Sequence, residues 1–189
     1  MSQEDIVQFS VMQSPVGPLL LGATDKGLRY LVFYSGKLPP AAPGELWIES
    51  REDLRPYEAQ LESYFRGELQ EFAFQLDLVG TTFQKQCWQA LLEIPYGQTC
   101  SYADIARKIG RPKAFRAVGQ ANHDNPIAII VPCHRVLGAS GLLTGYGGGL
   151  STKEKLLRLE GAAFKVSHSR EGQNQKDKRA PIEQARFEY

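Results

Sequence analysis

The chain has 189 residues, of which 42% are hydrophobic, 10% aromatic and 23% charged, with a formal net charge of +1. This is the composition of a folded globular protein, and it excludes collagen, a coiled coil and a chain disordered throughout. The longest apolar stretch, Asn125 to Cys133, is too short for a membrane helix and carries two prolines, so no membrane partner is expected. The opening Met-Ser-Gln-Glu-Asp lacks the basic and apolar regions of a secretory signal. Cys87, Cys100 and Cys133 cannot all pair and have no metal-ligand spacing. A reducing compartment is therefore expected (cytoplasmic, or nuclear in a eukaryote), with no metal and no cofactor.

Charge divides the chain. Residues 1–82 hold six Lys and Arg against twelve Asp and Glu, whereas residues 83–165 hold eleven against five. Opposite balances suggest two domains, the basic one facing an anionic partner such as nucleic acid. In the first half, Ile6, Phe9 and Val11, then Leu19 to Leu21, then Leu28 to Phe33 are separated by turn residues at Pro15–Pro18 and Asp25–Gly27. They predict a small antiparallel meander. Gly36 to Gly44, with three prolines, is a loop. From Asp53, the spacing of Leu54, Tyr57, Leu61, Tyr64 and Phe65 predicts a helix stopped by Gly67. Phe72, Phe74, Leu76 and Leu78 alternate with polar residues and predict a half-buried strand. No catalytic constellation stands out here, and the expected role of residues 1–80 is structural.

In the second half, Thr82 is expected to cap a helix carrying Phe83, Cys87, Trp88, Leu91 and Leu92. Ser101 to Asp104 has capping-box spacing and opens a short helix ending at Gly110. Pro112 is expected in the first turn of the next helix, with Phe115, Val118 and Asn122 on one face and Lys113, Arg116 and Gln120 on another. The pair reads either as a helix-turn-helix with a basic outer face or as a plain helical hairpin. Ile127 to Val131 predicts a buried strand delivering Pro132-Cys133-His134-Arg135-Val136, followed by a glycine-rich loop interrupted by Tyr146. Ser151 to Glu154 predicts a capping box for a last helix that turns Leu156, Leu157 and Leu159 inward and stops at Gly161. Residues 166–189 are almost wholly polar and predict a disordered or loosely packed tail.

Cys133 follows a buried run and precedes His134 and Arg135. Positive neighbours favour thiolate, the reactive form of cysteine. Consecutive residues do not face one another in a strand or a helix, so His134 reaches the sulfur more readily through a water than directly. Glu160 ends a helix, where the macrodipole disfavours negative charge. It is either a solvated surface carboxylate or the partner that orients His134.

The run Asn125-Pro126, Pro132-Cys133-His134-Arg135-Val136, Gly145-Tyr146-Gly147-Gly148-Gly149 and Lys153 to Gly161 resembles the O6-alkylguanine-DNA alkyltransferase family. The likeness extends from about Thr82 to Ala163 and includes Trp88, Ser101-Tyr102 and Arg116-Ala117-Val118-Gly119. It implies an α/β (α+β) chain with an RNase H-like sheet domain over 1–80 and a mostly helical, winged-helix-like domain over 81–165 carrying the reactive cysteine, whereas the tail over 166–189 has no counterpart in the family. It further implies repair in a single turnover. A helix-turn-helix enters the minor groove of double-stranded DNA, an O6-alkylguanine (or O4-alkylthymine) flips out, and the alkyl group passes irreversibly to Cys133. By the same resemblance, His134 is the base acting through water, Glu160 orients it, and Asn125 supports the turn before the cysteine. Arg116 fills the gap left in the stack, Tyr102 helps rotate the nucleotide, and Ser101, Lys113 and Gln120 contact DNA. Tyr102, Val136, Tyr146 and Gly147 line the base pocket, and the protein is expected to act as a monomer.

Gly147 departs from the small hydroxyl residue of many family members, and residues 122–124 (Asn-His-Asp) are more acidic than usual. Two other readings are an alkyltransferase-like protein that binds damage without transfer, and a cysteine hydrolase. The first replaces the cysteine that is intact here; the second needs a distant His/Asn pair that this sequence does not offer.

Overall fold

The computed structural model describes residues 5–166, so the expectation for the tail falls almost entirely outside the described residues. Four strands form the first sheet: β1 (Asp5–Met12), β2 (Leu19–Thr24), β3 (Gly27–Phe33) and β4 (Glu45–Glu49), in the order β3-β2-β1-β4. The first three make the expected antiparallel meander, while β4 lies parallel to β1. Helix α1 (Arg51–Phe65) packs on β1 and β2, burying Leu54, Leu61, Tyr64 and Phe65. It ends at Gly67, whose φ of 73° is open to glycine.

Polar groups also tie this half together. The Arg29 guanidinium, 4% exposed, donates to Asp77 (2.6 and 2.8 Å), Glu45 (2.9 Å) and Asp5 (3.0 Å), joining three strands to the segment after α1. That segment is not the strand its alternation predicts. Residues 72–78 keep the in-and-out burial, but only Leu28 pairs with them, donating to Gln75 O (3.0 Å) and accepting from Asp77 N (2.8 Å). The approach is close: a Cβ on Gly27 would lie 2.4 Å from Gln75 O.

The second half is helical. Helix α2 (Thr82–Leu92) is capped by Thr81, one residue before the expected cap, in a complete capping box with Gln84. Trp88 is 1% exposed, and its indole N–H donates to Ala121 O at 2.8 Å, fixing α2 against the helix that carries Ala121. Helix α3 (Tyr102–Lys108) begins with the expected Ser101–Asp104 box and stops at Gly110, φ 71°. Arg111 to Ala114 then form a turn closed by Ala114 N donating to Arg111 O (2.9 Å), and α4 runs Phe115–His123. Pro112 and Lys113 therefore lie before α4 rather than in its first turn. Phe115, expected inward, is 46% exposed, while Val118 and Asn122 are buried as expected.

Residues 127–131 are buried as expected but are not a strand. They form a tight turn in which Val131 N donates to Ile127 O (3.0 Å) and Ile129 takes φ 71°, a conformation that L residues branched at Cβ rarely adopt. Leu31 of β3 holds the turn from outside, donating to Pro126 O (2.9 Å) and accepting from Ala128 N (2.8 Å). A 3₁₀ turn (Cys133–Arg135) follows, then β6 (Val136–Leu137), parallel to β5 (Cys100–Ser101). The last helix, α5 (Leu150–Leu159), starts after Gly149 with no side-chain cap, because its first turn begins one residue before Ser151. Glu154 is consequently inside the helix and pairs with Arg158. Buried residues of both halves merge in one cluster running from Met12 through Trp88 to Leu156.

Candidate functional site

The 3₁₀ turn places Cys133 and His134 on a buried shelf between the Ile127–Val131 turn and α5. Cys133 is 7% exposed and His134 fully buried. Asn125, immediately after α4, organises the approach: its Oδ1 accepts from Ile127 N (3.0 Å), and its Nδ2 donates to Val131 O (2.8 Å) and to the Cys133 sulfur (3.3 Å). His134 Nε2 donates to Glu160 Oε1 at 2.8 Å. This places the neutral ring's lone pair on Nδ1, which has no hydrogen-bond partner among the described residues. Glu160 is thus the partner of His134 and not a solvated carboxylate.

Three groups escaped the sequence reading. Arg135 grips Glu160 with two prongs, Nε to Oε2 (2.8 Å) and Nη2 to Oε1 (3.0 Å), and donates Nη1 to Ile94 O (2.6 Å). Lys153 is fully buried and donates to Val136 O (2.6 Å) and Thr144 O (2.8 Å). Tyr64, from α1, donates its hydroxyl to Glu160 Oε1 at 2.7 Å. One signal could have found Lys153 and confirmed Glu160: with Leu156 and Leu157 they stand at i, i+3, i+4 and i+7, the inward stripe of α5. Tyr64 carries no comparable signal, since only the tertiary fold brings α1 to the end of α5.

The electrostatics follow from burial. Desolvation pushes the Cys133 thiol above its ordinary value, opposed by the Asn125 hydrogen bond and the Lys153 charge. Arg135 and His134, the neighbours that sequence favours, are not the main positive influence; Lys153 is. Burial likewise pushes His134 down, although Glu160 opposes it, so the ring is neutral at neutral pH. Burial pushes Glu160 upward, but His134 and Arg135 outweigh it and hold the carboxyl at about 2. With the ring neutral, the charge keeping Glu160 ionised is that of Arg135. Lys153 is itself pushed down by burial to about 8.

A stability effect follows. Because the Glu160 carboxyl is held below its ordinary 4.5, its contribution is present above pH 4.5 and lost as pH falls toward 2. Glu160→Gln strands a buried guanidinium, and removing one partner of a buried pair costs about 3–5 kcal/mol. At pH 7 its Tm should fall by roughly 10 °C. Thermal melts at a series of pH values should show the gap to wild type closing between pH 4.5 and 2; a gap independent of pH would refute this.

The expected base-pocket residues flank this shelf. Val136 is buried, and Tyr146 packs edge-on against His134 (centroids 6.4 Å apart) and Phe33 (5.7 Å), its hydroxyl without a hydrogen-bond partner among the described residues. Gly147 borders open space, with nothing within 4 Å of where a Cβ would stand, whereas at Gly148 a Cβ would meet the Phe33 ring at 2.5 Å. Tyr102 begins α3, and its hydroxyl accepts from Thr144 at 3.4 Å, linking helix to loop.

The expected DNA contacts lie elsewhere, on the exterior of α3, the turn and α4. Arg116 is exposed with its guanidinium 5.9 Å from the Phe115 ring centroid. Lys113 is exposed in the turn. Gln120 donates to Asp124 (2.9 Å), and the Ser101 hydroxyl is engaged in capping α3.

Residues 7–78 match the ribonuclease-like domain of 6-O-methylguanine DNA methyltransferases, and residues 82–162 match their DNA-binding domain. The chain belongs to this family. It is 54% identical to a methylated-DNA–protein-cysteine methyltransferase of Methanosarcina acetivorans, over 82% of this chain and 98% of that one. A Mycobacterium leprae protein of the same name is 54% identical over 79% of this chain and 89% of its own. Among solved structures, the Mycobacterium tuberculosis OGT in complex with DNA superposes with a TM-score of 0.75 at 49% identity, covering 82% and 92% of the two chains. Within this family, the mixed α/β architecture with an N-terminal sheet and a helical C-terminal part is the expected one, and the helix-turn-helix reading of α3 and α4 falls in the matched DNA-binding domain.

Proposed function

We propose that the protein repairs double-stranded DNA directly, moving the alkyl group of an O6-alkylguanine (or O4-alkylthymine) onto Cys133. Residues 81–165 bind the duplex through the minor groove, and residues 1–80 support them. The observation that carries the reading is the buried line from Cys133 and Asn125 through His134 to Glu160, beside an exposed basic helix-turn-helix.

The chemistry follows from the groups present. A thiol that burial keeps protonated needs a base, and His134 offers Nδ1 while Glu160 fixes the ring and stabilises the imidazolium. The thiol proton passes by way of a water to Nδ1. The sulfur electron pair attacks the alkyl carbon, the carbon–O6 bond breaks, and guanine leaves with that bond's electrons, to be protonated. Asn125 and Lys153 stabilise the developing thiolate. Restoring the thiol would require a second nucleophile to displace the thiolate from the unactivated alkyl carbon of the thioether, so each molecule reacts once.

Incubation with a duplex containing one O6-methylguanine, followed by intact-protein mass measurement, tests this. One methyl per molecule on Cys133, with no further turnover, is expected. Tight binding without a mass change would instead indicate a damage-binding relative, and multiple turnover a hydrolase.

A further inference from the structure

We propose that Tyr64 of helix α1 is a positioning residue for alkyl transfer, acting through Glu160 to set the proton affinity of His134. The proposal rests on the reading above. Tyr64 is fully buried and wedged by Phe65, Phe72 and Tyr96, with ring centroids 5.4, 5.4 and 6.2 Å away, so its hydroxyl is aimed rather than free. It donates at 2.7 Å to Oε1 of Glu160, the same oxygen that receives His134 Nε2 at 2.8 Å and Arg135 Nη2 at 3.0 Å. Three donors share one oxygen. Each draws negative charge from it, so the tyrosine weakens the hold of the carboxylate on an imidazolium.

The surroundings are defined on every side. Glu160 faces His134, Arg135 and Tyr64, the Gly97 N–H at 3.4 Å, and Tyr96, whose hydroxyl donates to Leu159 O at 3.2 Å. His134 faces Glu160, Arg135, Lys153 and the Tyr146 ring, while Cys133 faces Asn125, Lys153 and Tyr146. Among the described residues, Tyr64 is the one donor to Glu160 that comes from the N-terminal half. Burial and Glu160 keep its phenol protonated across the working range, so it is a permanent donor.

The test is single-turnover transfer from an O6-methylguanine duplex, followed across about pH 5.5–9, with wild type, Tyr64→Phe and Tyr96→Phe. Tyr64→Phe keeps the ring and leaves Oε1 more basic, so the imidazolium forms more readily. Its acid-limb midpoint, where neutral His134 becomes available as the base, should move up by about half a unit, roughly a threefold loss of rate on the acid limb, with unchanged affinity for DNA. Tyr96→Phe removes a neighbouring hydroxyl that does not touch Glu160, and its profile should coincide with wild type. The proposal is overturned if the Tyr64→Phe profile coincides with wild type or moves downward, or if Tyr96→Phe shifts it equally, which would indicate packing alone. Absence of transfer by the wild type would instead refute the proposed function.

Discussion

Cys133→Ser should lose alkyl transfer by about 10⁴-fold or more, a barrier increase of at least ~5.5 kcal/mol, while its Kd for DNA stays within about twofold of wild type. The nucleophile is the thiolate, and a serine hydroxyl, far less acidic than a thiol, is not ionised enough by the same water-relayed base to displace an alkyl group. The substitution nevertheless preserves the site, because a hydroxyl still accepts from Asn125 Nδ2, now 3.3 Å from the sulfur. The other thiols cannot take over. Burial pushes Cys87 upward and Cys100 up to about 11, and neither has the Asn125 donor or the Lys153 charge that oppose burial at Cys133. Peptide mapping after exposure to methylated duplex locates the adduct. An adduct on Cys87 or Cys100, or substantial transfer by the variant, would exclude Cys133 as the acceptor.

Arg116→Ala should separate DNA handling from chemistry. Extruding a paired base costs a few kcal/mol, and a side chain entering the gap holds the open state. Arg116 is exposed on α4, with its guanidinium beside the exposed Phe115 ring and outside the buried shelf. Removing roughly 1.4 kcal/mol of support should slow repair of duplex O6-methylguanine about tenfold or more. Reaction with free O6-benzylguanine, which requires no flipping, should change by less than about twofold. Equal losses on both substrates would show that Arg116 acts through the pocket or through stability.

What the sequence made legible depended on how local the physics was. The α3 cap, the meander and the inward leucines of α5 follow from neighbours a few residues apart, and so does the proximity of Cys133 and His134. The failures are non-local. Residues 72–78 alternate like a strand, yet a strand needs a partner edge, and β3 offers them one residue, Leu28. The β4 strand was hidden because Leu46 and Ile48 remain 47% and 44% exposed, so its pattern shows no buried face. The Ile127–Val131 run has the composition of a strand, but Leu31 supplies hydrogen bonds that bend it into a turn. At the site, Arg135 and Tyr64 meet Glu160 across separations of 25 and 96 residues, and no periodicity encodes such meetings.

The burial of Cys133 also bears on the protein's durability before it meets damage. Oxidants and electrophilic metabolites attack thiolates that solvent can reach, and successive oxidation ends in acids the cell does not reduce. A thiol 7% exposed and held protonated by desolvation is a poor target for such reagents. For a protein whose reactive sulfur serves once, each molecule oxidised in waiting is a repair forgone. The seclusion that slows ionisation of the thiol thus preserves the pool of usable molecules.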